Sequence, residues 1–141
     1  MIVRVVEGAI DEAEAVALVS QPENGAVLIF RGNVRNLHVG REVTHIEYHS
    51  YREMAERELR RVAEEIAAAH GVKDLAVLHR VGEVRVGETS LLVAAGAPHR
   101  RPVFEAVLAL IDELKKRVPI WKKEYGPGGV AWVEGTIPSV E

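Results

Sequence analysis

The chain has 141 residues, 48% of them hydrophobic and 28% charged, with a formal net charge of -3. That length supports one domain with a real core, and the slight acidity argues against broad nucleic-acid binding. No cysteine is present, which excludes disulfides, a thiolate nucleophile and cysteine-based metal centres.

Residues 2–6 read as a short strand without the long apolar region of a signal peptide. Asp11 followed by Glu14 reads as a capping box opening a helix through about Val19. A turn cluster at residues 21–25 precedes Ala26-Val27-Leu28-Ile29-Phe30, apolar on both faces as a buried central strand would be. Gly32 and a polar loop over 33–41 follow, carrying Arg35, His38 and Arg41. Over residues 42–50 the pattern alternates, with Thr44, Ile46 and Tyr48 on one face and His45, Glu47 and His49 on the other.

From Tyr51 to His70 the period becomes helical, with Ala55, Leu59, Val62 and Ile66 as the apolar stripe. Glu53–Arg57 and Glu56–Arg60 have the spacing of i,i+4 pairs, and Gly71 reads as a C-terminal cap. Strands near 73–80 and 89–96 flank a turn-rich connection over 82–87. A helix then starts near Pro102, with Phe104, Val107, Leu108, Ile111 and Leu114 as its stripe. It ends at or before Val118, because Pro119 disfavours helical geometry in the residue before it. Lys122 belongs to an extended segment beyond, and glycines at 126, 128 and 129 turn the chain into a last strand over 130–134. This succession indicates an α+β fold with a mixed or antiparallel sheet. The apolar runs are too short to span a bilayer, so a cytoplasmic protein is expected.

Three basic clusters carry the candidate chemistry. Asn33, Val34 and Arg35 leave a strand end on a loop, where ligand contacts are common, although a solvated basic loop has the same composition. His99 and Arg100 precede a helix, whose N-terminal N–H groups and dipole suit an anion. Lys115, Lys116 and Arg117 occupy a last helical turn, which the dipole favours by itself. Lys115 also borders the apolar stripe, as an activated amine or fixed charge would. His45, Glu47 and His49 share a strand face, so a metal-dependent hydrolase is one rival reading. A non-catalytic module binding anions or nucleic acid is another.

Gly25 to Asn36, Ala97-Pro98-His99-Arg100, and Leu114-Lys115 with Val118-Pro119-Ile120-Trp121-Lys122-Lys123-Glu124 together resemble the large, catalytic subunits of molybdopterin synthases, over essentially the whole chain. The resemblance implies an α/β hammerhead-type fold with a small additional β subdomain, forming a homodimer. It further implies a heterotetramer with a small ubiquitin-like sulfur carrier whose C-terminal Gly-Gly ends as a thiocarboxylate. Sulfur from that group converts cyclic pyranopterin monophosphate to molybdopterin, in molybdenum cofactor biosynthesis. By similarity Lys115 and Lys122 are the catalytic lysines. Phe30 would form the pocket floor, and Asn33, Val34, Arg35, His99, Arg100, Lys122, Lys123 and Glu124 would be substrate contacts. No metal, cofactor, nucleic acid or membrane partner is expected. Arg31 departs from the family pattern and is expected either to join the anion pocket or to point away on the alternate strand face.

Overall fold

The computed structural model describes residues 1–133. Strand β1 (Ile2–Glu7) leads into helix α1 (Glu12–Val19), β2 (Ala26–Asn33), a hairpin of β3 (Leu37–His38) and β4 (Arg41–Glu42), and β5 (His45–Ser50). Helix α2 (Arg52–His70) precedes the long strands β6 (Asp74–Arg85) and β7 (Thr89–Ala97). Helix α3 (Arg100–Arg117), β8 (Ile120–Gly126) and β9 (Gly129–Val133) complete the described chain. The sheet runs β2-β7-β6-β5-β8-β9 with antiparallel neighbours, and β1 joins β6 in parallel. The α+β class with a mixed sheet is therefore what forms. Helices α2 and α3 cover one sheet face over the larger core, and α1 covers the other.

Local signals account for most element ends. The Glu14 N–H donates to the Asp11 carboxylate at 3.3 Å, as an N-cap requires. The Glu14 side chain does not complete a capping box, because Arg4 holds it at 2.7 Å. Gly71 closes α2 at φ 65, a left-handed conformation that costs glycine little. The α2 stripe of Ala55, Leu59, Val62 and Ile66 is buried as the periodicity indicates. Glu56 accepts the Val5 N–H at 3.0 Å instead of pairing with Arg60, on the edge of β1 that no strand covers among the described residues.

Three expectations are corrected. Strand β2 lies at the sheet edge, with Val27 and Phe30 exposed, because an apolar run does not say what covers it. Residues 82–85 are strand, not connection. Gly82, at φ 87, bends β6 where β1 stops pairing and β5 begins. On α3 the buried face is Val103, Ala106, Val107, Leu110 and Leu114, while Phe104 and Leu108 are 59% and 64% exposed. The apolar arc of this helix is wider than the strip the sheet covers, and packing chose one side. Glu134, expected in the last strand, lies outside the described residues.

The ends of α3 and β8 position the site. Val118 is already extended (φ -86, ψ 125), as Pro119 demands, and its N–H still bonds the Leu114 carbonyl at 3.0 Å. Arg117 anchors the helix end on α2 through Glu58 at 3.0 Å and Glu65. At the far end of β8 the Gly126 backbone packs on the β4 strand, and a Cβ there would collide with the Glu42 carbonyl. Gly126→Ala is expected to lower unfolding stability by about 1–3 kcal/mol. Gly128→Ala, with open space at its Cβ, should stay within about 0.5 kcal/mol of the parent in the same denaturant titrations.

Candidate active site

Lys115 and Lys122 reach one cavity of about 350 Å³, which lies between the end of α3 and the sheet. Lys115 is an exposed residue in the last turn of α3, and Lys122 is half-buried on β8. Strand alternation turns Lys122 and Glu124 to one face and Lys123 to the other. Lys122 pairs with Tyr48 across β5, its Nζ 6.0 Å from the ring centroid. Burial holds its ammonium below the usual lysine pKa; Glu124 opposes that, and the cationic Lys115 and Arg35 add to it.

A smaller adjoining cavity shares Asn33, Tyr48 and Lys122 and adds Arg35, His38 and Glu124. Glu124 is only 5% exposed, and its carboxylate lies 2.8 Å from His38 Nδ1. Asn33 Oδ1 accepts from the Thr89 hydroxyl at 2.8 Å, which leaves the amide N–H groups for a ligand. Val34 also lines this smaller cavity, whereas Lys123 falls elsewhere. Val34 is a core residue with Val43, Ile46 and Val84, and its backbone N–H and C=O are bonded to Glu88 and Gly87. Its side chain offers that cavity apolar contact only. Lys123 lies over the Trp132 ring at 4.3 Å, on the strand face away from Lys122. Phe30 lines the cavity but is 36% exposed, so it stands at the mouth, and the buried His79, Ser90 and Leu91 form the floor.

His99 and Arg100 border a separate surface pocket at the start of α3. Lys115 lies fifteen helical steps beyond Arg100, roughly 22 Å at 1.5 Å per residue. Within one chain they do not share the lysine cavity. Arg31 points away: its guanidinium makes a bidentate pair with Glu12 at 2.7 and 2.8 Å. The His45, Glu47 and His49 face gives no metal site. His45 stacks on Tyr125, His49 lies 2.7 Å from Glu47, and among the described residues no group of three converges as ligands.

The family model described as MoaE protein matches residues 5–117. The chain belongs to the MoaE family. It is 44% identical over 122 residues to the molybdopterin synthase catalytic subunit of Pyrococcus abyssi, covering 86% of this chain and 82% of that one. The X-ray structure of molybdopterin synthase from Staphylococcus aureus superposes at a TM-score of 0.87 with 30% identity, over 94% of this chain and 96% of that one. A complex of subunits 1 and 2 of molybdopterin-converting factor from Helicobacter pylori shares the fold at a TM-score of 0.74 and 21% identity, covering 93% of this chain and 89% of that one.

In this MoaE chain the residue that sequence reasoning passed over is His79. Its only signal is a polar residue ending the apolar stretch Leu75-Ala76-Val77-Leu78 of β6. Burial lowers its pKa to about 4; the Arg80 carbonyl works against the shift and Lys122 adds to it. The unfolded chain's imidazole titrates near 6.5, so between that pH and about 4 the unfolded state binds the extra proton and stability rises with pH. Acidification across that window is expected to remove about 3 kcal/mol through this group. Urea midpoints measured from pH 7 to 4 should show the slope, and His79→Gln should flatten it.

Proposed function

We propose that this chain is the catalytic subunit of a molybdopterin synthase. It transfers sulfur from the C-terminal thiocarboxylate of a small ubiquitin-like carrier to cyclic pyranopterin monophosphate, building the dithiolene of molybdopterin. The observation that carries the reading is the meeting of Lys115 and Lys122, from a helix end and a strand, in one cavity with Arg35 beside it. Both the cyclic phosphate and the carrier tail are anionic, and a converged set of cations is what they need.

The roles follow from depth. Lys115, exposed at the helix end, meets the incoming thiocarboxylate and stabilises charge developing at its acyl carbon. Lys122 is deeper and its ammonium gives up a proton more readily than a free lysine, which suits proton transfer as the substrate loses oxygen. Arg35 takes the phosphate with bidentate geometry. Glu124, held by His38, balances the charge beside Lys122. The sulfur comes from the carrier, so the enzyme needs no thiol, and a cytoplasmic location agrees with a chain free of cysteine.

His99 and Arg100 can serve this pocket only from a second copy. Arg100, Phe104 and Leu108 fall at i, i+4 and i+8 on one face of α3, and the last two are apolar residues left exposed by the described residues. The edge strand β2 packs beside that helix, with Ala26 and Leu28 against the larger core. A homodimer closing over this surface buries it and carries Arg100 toward the other subunit, and each subunit takes one carrier in a heterotetramer.

The decisive assay combines the protein with thiocarboxylated carrier and cyclic pyranopterin monophosphate, and dithiolene product is expected. Lys115→Ala should cut turnover by at least about a hundredfold with an unchanged melting profile; near-normal turnover would remove Lys115 from the mechanism. Mixing Lys115→Ala with Arg100→Ala subunits tests the shared site. Random exchange leaves one intact site in each mixed dimer, so activity should recover to about a quarter of the parent value. No recovery would place Arg100 outside the partner's pocket.

A further inference from the structure

His79 lines the lysine cavity yet has no part in the roles given above. It sits on β6 opposite Leu91 of β7 and is 6% exposed. Its Nδ1 lies 2.9 Å from the Arg80 carbonyl oxygen. A carbonyl only accepts, so Nδ1 carries the hydrogen and Nε2 of the neutral ring carries a lone pair. Nε2 has no hydrogen-bond partner among the described residues, and it is not one of the polar atoms sealed from solvent. In a residue this buried, the space Nε2 opens onto is the cavity it lines. The Tyr48 ring packs edge-on against the imidazole, 5.2 Å between centroids, and holds its plane.

The rest of the cavity wall makes that lone pair distinctive. The side-chain nitrogens of Lys115, Lys122, Trp121 and Asn33 all donate. Ser90 is committed, accepting from the Tyr48 hydroxyl at 3.2 Å and donating to the Gly32 carbonyl at 3.1 Å. Among the described residues, His79 Nε2 is the one side-chain nitrogen on this wall that accepts. Burial keeps the ring neutral at physiological pH, so the lone pair is available.

We infer that His79 Nε2 accepts a hydrogen bond from the substrate's heterocycle and thereby fixes which way round the pterin enters. The inference rests on the synthase reading. The pyrimidinone edge of a pterin carries ring N–H and amino donors, whereas the phosphate at the far end offers acceptors. Exposed Arg35 takes the phosphate toward the mouth, and the neutral acceptor on the floor takes the donor edge. Reversed, the phosphate would face that lone pair and the pterin donors would lose their acceptor, with Lys122 offsetting only part of this, so that orientation is penalised.

Steady-state kinetics with thiocarboxylated carrier and cyclic pyranopterin monophosphate test this on the parent chain, His79→Asn and His79→Gln. Asparagine keeps an N–H where Nδ1 stood and loses the acceptor; glutamine reaches the Nε2 position with its carbonyl and loses the Nδ1 bond. A structural role would therefore impair the glutamine variant more, and the opposite ranking is expected. KM for the pterin should rise about tenfold in His79→Asn, with kcat within about threefold, and His79→Gln should recover most of that rise. A KM in His79→Asn within about twofold of the parent overturns the inference. So does a glutamine variant as impaired as the asparagine one when both unfold cooperatively. No product from the parent chain would overturn the synthase reading and this inference with it, whereas normal parent turnover with unmoved variants overturns this inference alone.

Discussion

The site depends on the chain leaving a helix and entering a strand within three residues, and Pro119 imposes that break. Its ring forces Val118 out of helical geometry, so α3 stops with Lys115 in its last turn. Had the helix continued, Lys122 would lie two turns further along the same exposed stripe, about 10 Å from Lys115 along the axis. Instead β8 turns back along β5, and the two lysines approach one cavity from different elements. Arg117 keeps the break in place: its pairs with Glu58 and Glu65 fix the helix end on α2 while Val118 and Ile120 enter the core.

Placing Lys122 in the cavity has an electrostatic cost, visible in its lowered pKa: burial is the main cause, and Lys115 and Arg35 add to it. Glu124 offsets part of it from a nearly buried position that His38 secures. The part due to Lys115 and Arg35 would be relieved by the proposed anionic substrate. His79 adds a neutral acceptor beneath these donors, so the cavity is polarised from mouth to floor and can distinguish the two ends of a ligand.

Helix α3 also acts as a spacer. It carries basic residues at both ends, with Arg100 at its start and Lys115 near its finish. Its exposed apolar face lies between them, so in the proposed dimer covering Phe104 and Leu108 and delivering Arg100 would be one event.

Much of this was legible in the sequence wherever the physics is local. Pro119, Gly71 and Asp11 act on their own neighbours, and alternation along β8 already separates Lys123 from Lys122 and Glu124. The motifs around Arg35, His99 and Lys122 were sufficient for the family resemblance. Tertiary structure alone decided what covers each apolar surface: β2 became an edge, α3 turned Phe104 outward, and β6 ran on through Gly82. Periodicity records which residues are apolar together and carries no information about the element that will face them. The same limit hid His79, whose neutral charge and fixed tautomer come from the strands and rings packed around it, and kept His99 and Arg100 a helix length from the lysines they accompany in sequence.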